Sequence, residues 1–306
     1  MAHDREVLRM IWEGQIGICF QADRDEIVGI KPEPFYLMIS RLSYLPLVTD
    51  KVRKYFSRYI SAEHQDGAVW FDFNGTPLRL HYPIGVLYDL LHPEEDSTPW
   101  CLTIHFSKFP EDMLVKLNSK ELLESHYMSC LKEADVLKHR GLVISAMQKK
   151  DHNQLWLGLV NEKFDQFWAV NRRLMEPYGD LESFKNIPLR IYTDDVRLHV
   201  HPETDFTDQR GRTKEEFGRF NGRIIDTCAQ SGSFGTRIGA LHAVLGTGFR
   251  FGFGKESSAP FSRTPGLIGC RTHGIDLHEE TQLQWMSEHL SYPDNFLHLS
   301  VDYKDV

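Results

Sequence analysis

No stretch of this sequence approaches the roughly 20 consecutive apolar residues that a membrane-spanning helix needs. The opening residues, Met1 to Glu6, contain no apolar segment of the kind a secretory leader carries. Cysteine is scarce: five residues, Cys19, Cys101, Cys130, Cys228 and Cys270, scattered and odd in number. That excludes a disulfide framework and fits a reducing cytosol. A basic excess is also missing. The formal net charge is −8 and the pI about 6.0, the wrong sign for general nucleic-acid binding. No glycine-rich phosphate loop or standard zinc-ligand spacing is present, so no cofactor or metal is expected. What is abundant is core material. Of 306 residues, 41% are hydrophobic and 12% aromatic, enough for one large domain or two to three small modules.

The first module, residues 1–110, has a regular grammar. Ile16, Ile18 and Phe20 alternate with Gln15, Gly17 and Cys19, the period of a half-buried strand. A second apolar stretch, Phe35 to Ile39, follows. Val52, Tyr55, Phe56, Tyr59 and Ile60 share one helix face, with Thr49 placed to cap it. Val69, Phe71 and Phe73 then alternate with Trp70 and Asp72 up to Asn74-Gly75, a tight-turn dipeptide. Leu78, Leu80 and Tyr82 read as the returning strand. Pro83 suits the first turn of a helix with the stripe Ile84, Leu87, Leu90 and Leu91. Leu102, Ile104 and Phe106 close the module as a strand. The order strand, strand, helix, strand, strand, short helix, strand predicts a ubiquitin-like β-grasp. Burying each such Leu, Ile or Phe contributes roughly 1.5–3 kcal/mol.

Residues 111–180 change to a helical period. Leu123, Tyr127, Cys130, Leu131, Ala134 and Leu137 fall on one side of a helical wheel, and Lys132 lies about 180° from Leu123. Lys132 is therefore expected to be solvated, as are Lys149 and Lys150. Leu142, Val143, Met147, Leu155, Trp156, Leu159, Phe164, Phe167, Trp168 and Leu174 read as helix-packing residues rather than a cofactor box.

The third part, residues 186–301, repeats half of the first. Ile187 to Tyr192 reads as a strand. Gly274-Ile275-Asp276-Leu277 leads into a helix carrying Leu283, Trp285, Met286 and Leu290. After Pro293, a final strand runs through Phe296, Leu297, Leu299 and Val301. Between about 196 and 269 neither period holds. No second strand or main helix is visible there, and the segment is read as anomalous and disordered. Read one nucleotide later, codons compatible with residues 196–230 yield a strand-like alternation, a Gly-Gly turn and an amphipathic helix. A frameshifted segment followed by retained non-coding sequence is therefore one expectation. If the stretch is translated as it stands, the second module should bind its partner more weakly.

Catalytic constellations are thin. His126 and Cys130 are four apart on one helix and could form a thiolate–imidazolium pair, but Cys130 falls on the apolar stripe. His273, His278, Glu279 and Glu280 match no standard metal spacing. Asp50, Asp72 and Asp89 form no evident carboxylate pair.

The stretches LVTDKVRKYF, GTPLRLHYPIG, SHYMSCLKEADVLKH, MQKKDHNQLW, FDQFWAVNRRLM and QWMSEHLSYPDNFLHLS resemble the autophagy protein five family of animals. The resemblance covers residues 1–195 and 270–301. It implies two ubiquitin-like modules flanking a helix-rich one, and no catalytic residue of the chain's own. It further implies that Lys132, in the match MSCLKEAD, accepts an isopeptide bond from the C-terminal glycine of the ubiquitin-like autophagy protein twelve. The conjugate would bind autophagy protein sixteen and, with the lipidation enzymes, promote E3-like transfer of eight-family ubiquitin-like proteins to phosphatidylethanolamine. Its location would be cytoplasmic, peripheral on the preautophagosomal membrane. The alternatives are an unconjugated ubiquitin-fold adaptor, or a defective form unable to bind protein sixteen. Nucleic acid is not an expected partner.

Overall fold

The computed structural model describes residues 5–65, 67–91, 98–117, 119–176, 186–193, 223–230, 266–278 and 280–304. It opens with helix α1 (Arg5–Trp12). The first sheet follows: β1 (Gln15–Ala22), β2 (Phe35–Ser40), β3 (Trp70–Phe73), β4 (Thr76–Pro77) and β5 (Trp100–His105), in the order β2-β1-β5-β3-β4. β1 and β5 are parallel at its centre, and the other pairings are antiparallel. Ile16, Ile18 and Phe20 of β1 face inward with Phe71, Leu102 and Ile104, against helices α2 (Leu45–Phe56) and α3 (Ile84–Leu91). This is the β-grasp order that the alternation predicts.

Two local expectations are corrected. Thr49 does not cap α2. The helix starts a turn earlier, with Pro46 in its first turn, and the Thr49 hydroxyl donates to the Leu45 carbonyl at 2.9 Å. Pro46 lacks an N–H, and a first-turn position needs none. The Asn74-Gly75 turn forms as expected, with φ of 50° and 81°. The returning strand, however, ends at Pro77. Leu78 still donates its amide to Phe71 at 2.8 Å, after which a turn from Arg79 to Tyr82 carries the chain off the ladder. Leu78, Leu80 and Tyr82 are buried nonetheless, so their alternation encodes burial without strand pairing.

The middle module holds α4 (Lys120–His139), α5 (Leu142–Ala146), α6 (Lys149–Val160) and α7 (Phe164–Met175). Most of its buried apolar side chains join those of the first sheet in one continuous core, while Cys130 and Ala134 pack with Phe296. The second sheet contains β6 (Asn186–Thr193), β7 (Arg223–Gln230), β8 (Gly266–Thr272), β9 (Ile275–Asp276) and β10 (Leu297–Lys304), with α8 (Leu283–His289) before β10. Its order, β7-β6-β10-β8-β9, repeats the first sheet strand for strand, again with its central pair parallel.

One sequence-based expectation fails here. The second strand is present: β7 pairs antiparallel with β6 along its whole length, from Asn186 opposite Gln230 to Thr193 opposite Arg223. It hid because its Ile224-Ile225 pair breaks strict alternation. The strand therefore requires no change of reading frame, and the β6 edge is covered rather than open. The rest of the anomalous stretch, apart from 266–269, lies outside the described residues. So do the expected disorder, the shifted helix and any retained non-coding text. Among the described residues no helix is long and apolar enough to cross a membrane.

Candidate functional site

Helix α4 begins at Ser119, whose hydroxyl accepts from the Leu122 amide at 3.2 Å. It ends at Arg140, in the left-handed region. Between these caps, twenty residues with a 3.6-residue period divide cleanly into two faces. Leu123, Tyr127, Cys130, Leu131 and Ala134 are buried. Ser125, Ser129, Lys132 and Val136 form the opposite, exposed stripe. Lys132 thus stands where the wheel places it. Lys149 and Lys150 are exposed too, so exposure alone does not single it out.

The inner face of α4 is fastened to the second sheet. Arg190 of β6 lays its guanidinium over the Phe296 ring at 3.9 Å. It also reaches Glu133 at 3.1 Å, Cys130 Sγ at 3.5 Å and Asp294 at 3.6 Å. Asp294 meets His298 Nε2 at 3.0 Å. Burial opposes ionisation of Asp294, but His298 and Arg190 outweigh it and hold the carboxyl below its usual pKa. Tyr127 donates its hydroxyl to the Pro293 carbonyl at 3.1 Å. Three turns later, Lys138 is fully enclosed, donating to Asn295 Oδ1 at 3.1 Å, and Asn295 in turn donates to Asn171 of α7 at 2.8 Å. The segment 293–298 is therefore held by α4, α7 and β6 together. The amine of Lys132 is displayed on a helix whose back cannot shift without breaking a buried polar network.

His126 and Cys130 do come together, Nε2 to Sγ at 3.5 Å. Their electrostatics oppose a thiolate. Burial pushes the Cys130 thiol up to about 11, although Arg190 pulls the other way. Burial, reinforced by Arg190, lowers the His126 pKa. Neither partner is driven toward its charged form, so this is a packed structural cysteine. The metal candidates do not converge. His273 is buried, stacks on Tyr292 and reaches the Leu290 carbonyl at 2.9 Å. The His278 ring instead accepts the Glu280 amide at 3.2 Å. Glu279 lies outside the described residues. Asp50, Asp72 and Asp89 go to three separate partners: Lys120 at 3.8 Å, His105 and Arg41.

Sequence reasoning passed over Arg190, Asp294, Asn295 and Lys138. Lys138 carried a signal, since it follows Leu131 by seven residues on the buried face. Arg190 carried none. Alternation places it opposite Leu189 and Ile191, but nothing in β6 says that a helix covers that side.

The UblA domain, alpha-helical bundle region and UblB domain models of autophagy protein ATG5 match residues 11–106, 120–177 and 186–301. Autophagy protein 5 of Drosophila melanogaster is 80% identical over 306 residues, spanning 100% of both chains. Autophagy-related protein 5 of Caenorhabditis elegans is 31% identical over 300 residues, spanning 97% of each. The crystal structure of Kluyveromyces marxianus Atg5 superposes with a TM-score of 0.72 over 96% of this chain and 98% of that one, at 18% identity, a likeness of fold. Three consecutive domain matches over two β-grasp sheets and a helical centre establish that the chain belongs to the ATG5 family, whose general role is autophagosome formation through ubiquitin-like conjugation.

Proposed function

We propose that this chain is the acceptor and scaffold of a conjugate, with the Lys132 ε-amine bonded to the C-terminal glycine of the ubiquitin-like autophagy protein twelve. The supporting observation is the division of α4: Lys132 is exposed on a helix whose other face is pinned to the second module. The amine nitrogen attacks the thioester carbonyl, the enzyme's thiolate leaves, and an isopeptide bond forms. A lysine amine in water is mostly protonated at neutral pH, so the enzyme carrying the thioester removes the proton. The acceptor's own contribution is a fixed position, which lowers the entropic cost of encounter.

The conjugate then binds autophagy protein sixteen and promotes E3-like lipidation of eight-family proteins at the preautophagosomal membrane, with the chain contacting that membrane peripherally from the cytoplasm. The chain itself transforms no substrate. A pull-down of protein sixteen at matched concentration measures whether the unusual 196–269 stretch costs affinity.

Lys132→Arg keeps the charge and the helix. It is expected to abolish the covalent higher-mass species while leaving thermal stability unchanged. Persistence of that species would move the acceptor role to another lysine such as Lys149 or Lys150. Its absence in the unmodified chain would favour the unconjugated adaptor. Cys130→Ser should leave conjugation intact.

A further inference from the structure

Cys19 and Cys101 stand opposite one another in the register of the parallel β1–β5 pair. Ile18 and Phe20 point into the core, so Cys19 lies on the outer face of the sheet, and Cys101 shares that face. Tyr36 stands opposite Cys19 on the β2 side, in register with it. Gln21 Nε2 approaches Cys19 Sγ at 3.8 Å, and Cys101 Sγ approaches the Pro99 carbonyl at 3.5 Å. Cys19 is buried and Cys101 exposed. Neighbouring strands run about 4.8 Å apart, within the roughly 4.4–6.8 Å that a disulfide spans between Cα atoms.

We propose that Cys19 and Cys101 are a redox-responsive dithiol, oxidised to an intrachain disulfide by a small disulfide such as oxidised glutathione. The exposed Cys101 acts first. Its thiolate, after losing a proton to solvent, attacks one sulfur of oxidised glutathione. A Cys101–glutathione mixed disulfide forms, and one glutathione leaves as a thiolate that takes up a proton. The Cys19 thiolate then attacks the Cys101 sulfur, joining Cys19 to Cys101 and expelling the second glutathione. Two protein thiols are oxidised and one glutathione disulfide is reduced to two thiols, so atoms and electrons balance. Burial and the adjacent Cys19 hold the Cys101 thiol above its ordinary pKa. The pair therefore follows the poise of the disulfide pool and does not intercept oxidants quickly. Its advantage is placement: the resolving thiol already sits beside the first.

The test uses the full chain, equilibrated in buffers of stepped reduced-to-oxidised glutathione ratio, alkylated, and mapped without reduction. A peptide joining Cys19 to Cys101 is expected, with little glutathione left on Cys101. Cys101→Ser, a change at an exposed position, should remove the cross-link and leave Cys19 unmodified. Phenylarsine oxide bridges adjacent thiols without oxidation, so it should bind the reduced wild-type chain and lose that binding in Cys101→Ser. Glutathione accumulating on Cys101 while Cys19 stays free, or arsenical binding that is equal in both chains, would overturn the proposal.

Discussion

Lys138 is the penultimate residue of α4, fully enclosed, with its amine against Asn295 and the Met175 sulfur. Burial lowers its pKa from 10.5 to about 7, although Asp294 and Asp135 favour the charged form. In the unfolded chain this amine holds its proton up to its ordinary pKa. Between about pH 7 and 10 the unfolded state therefore binds more protons at this group than the folded state does. Its contribution to stability rises through that window, by at most about 1.4 kcal/mol per pH unit, and is lost as pH falls through 7. Lys138→Met removes the titration. Urea unfolding at several pH values between neutral and pH 10 should show a flatter slope for the variant than for wild type. Equal slopes would mean that the buried amine keeps its proton in the folded state.

Helix α1 shows at the level of an element what was readable and what was overlooked. Leu8, Ile11 and Trp12 carry an i, i+3, i+4 spacing that marks a helix face, yet the polar residues around them obscured it. In the structure Leu8 and Trp12 are buried. Trp12 packs on Phe164 and Phe167 of α7, with ring centroids 5.8 and 4.9 Å away, and its indole N–H donates to the Glu162 carbonyl at 3.3 Å. Arg9 crosses over Phe164 at 4.8 Å and pairs with Asp165 at 3.3 Å. Trp12→Ala should cost about 3–5 kcal/mol, read as a lower urea midpoint. Trp12→Phe should recover most of the loss, because ring packing outweighs the single hydrogen bond. The elements seen in sequence were those whose period matched their burial: β1, β3, β5, α4 and β10. Those missed depend on partners distant in the chain. β7 is recruited by β6, and Leu78, Leu80 and Tyr82 are buried off the ladder, Tyr82 against Tyr192 of β6. The acceptor candidate shares this limit. The wheel shows that Lys132 is exposed, but the network behind it, built from Arg190, Asp294 and Asn295, exists only once the second sheet and the helical module meet.

Across the whole molecule, the two sheets repeat one topology, and the contact between the modules includes a buried polar cluster beside the Tyr82–Tyr192 ring contact. Arg41, following β2, pairs with Asp89 of α3, and the two side chains are 11% and 3% exposed. The other carboxylate oxygen of Asp89 accepts the Gly274 amide of the β8–β9 turn at 2.9 Å, and the Ser300 hydroxyl of β10 donates to the Asp89 carbonyl at 3.2 Å. Gly274 holds φ at +77° with the Arg41 guanidinium 3.1 Å from where a Cβ would stand. Only glycine meets both demands without strain. One carboxylate therefore satisfies a cation of the first module and a backbone amide of the second. Asp89→Ala leaves Arg41 buried without its counter-ion and the Gly274 amide without an acceptor, a loss on the order of 3–5 kcal/mol. Because the second sheet has its own core, built on Leu189, Met286, Leu297 and Leu299, the variant should uncouple the modules before it unfolds them. Hydrogen exchange is expected to accelerate first at the 273–277 turn and β8, while β1 and β5 keep their protection. Gly274→Ala, which leaves Asp89 in place, should reproduce the pattern more weakly. Uniform loss of protection over both sheets in Asp89→Ala would instead make the molecule a single cooperative unit.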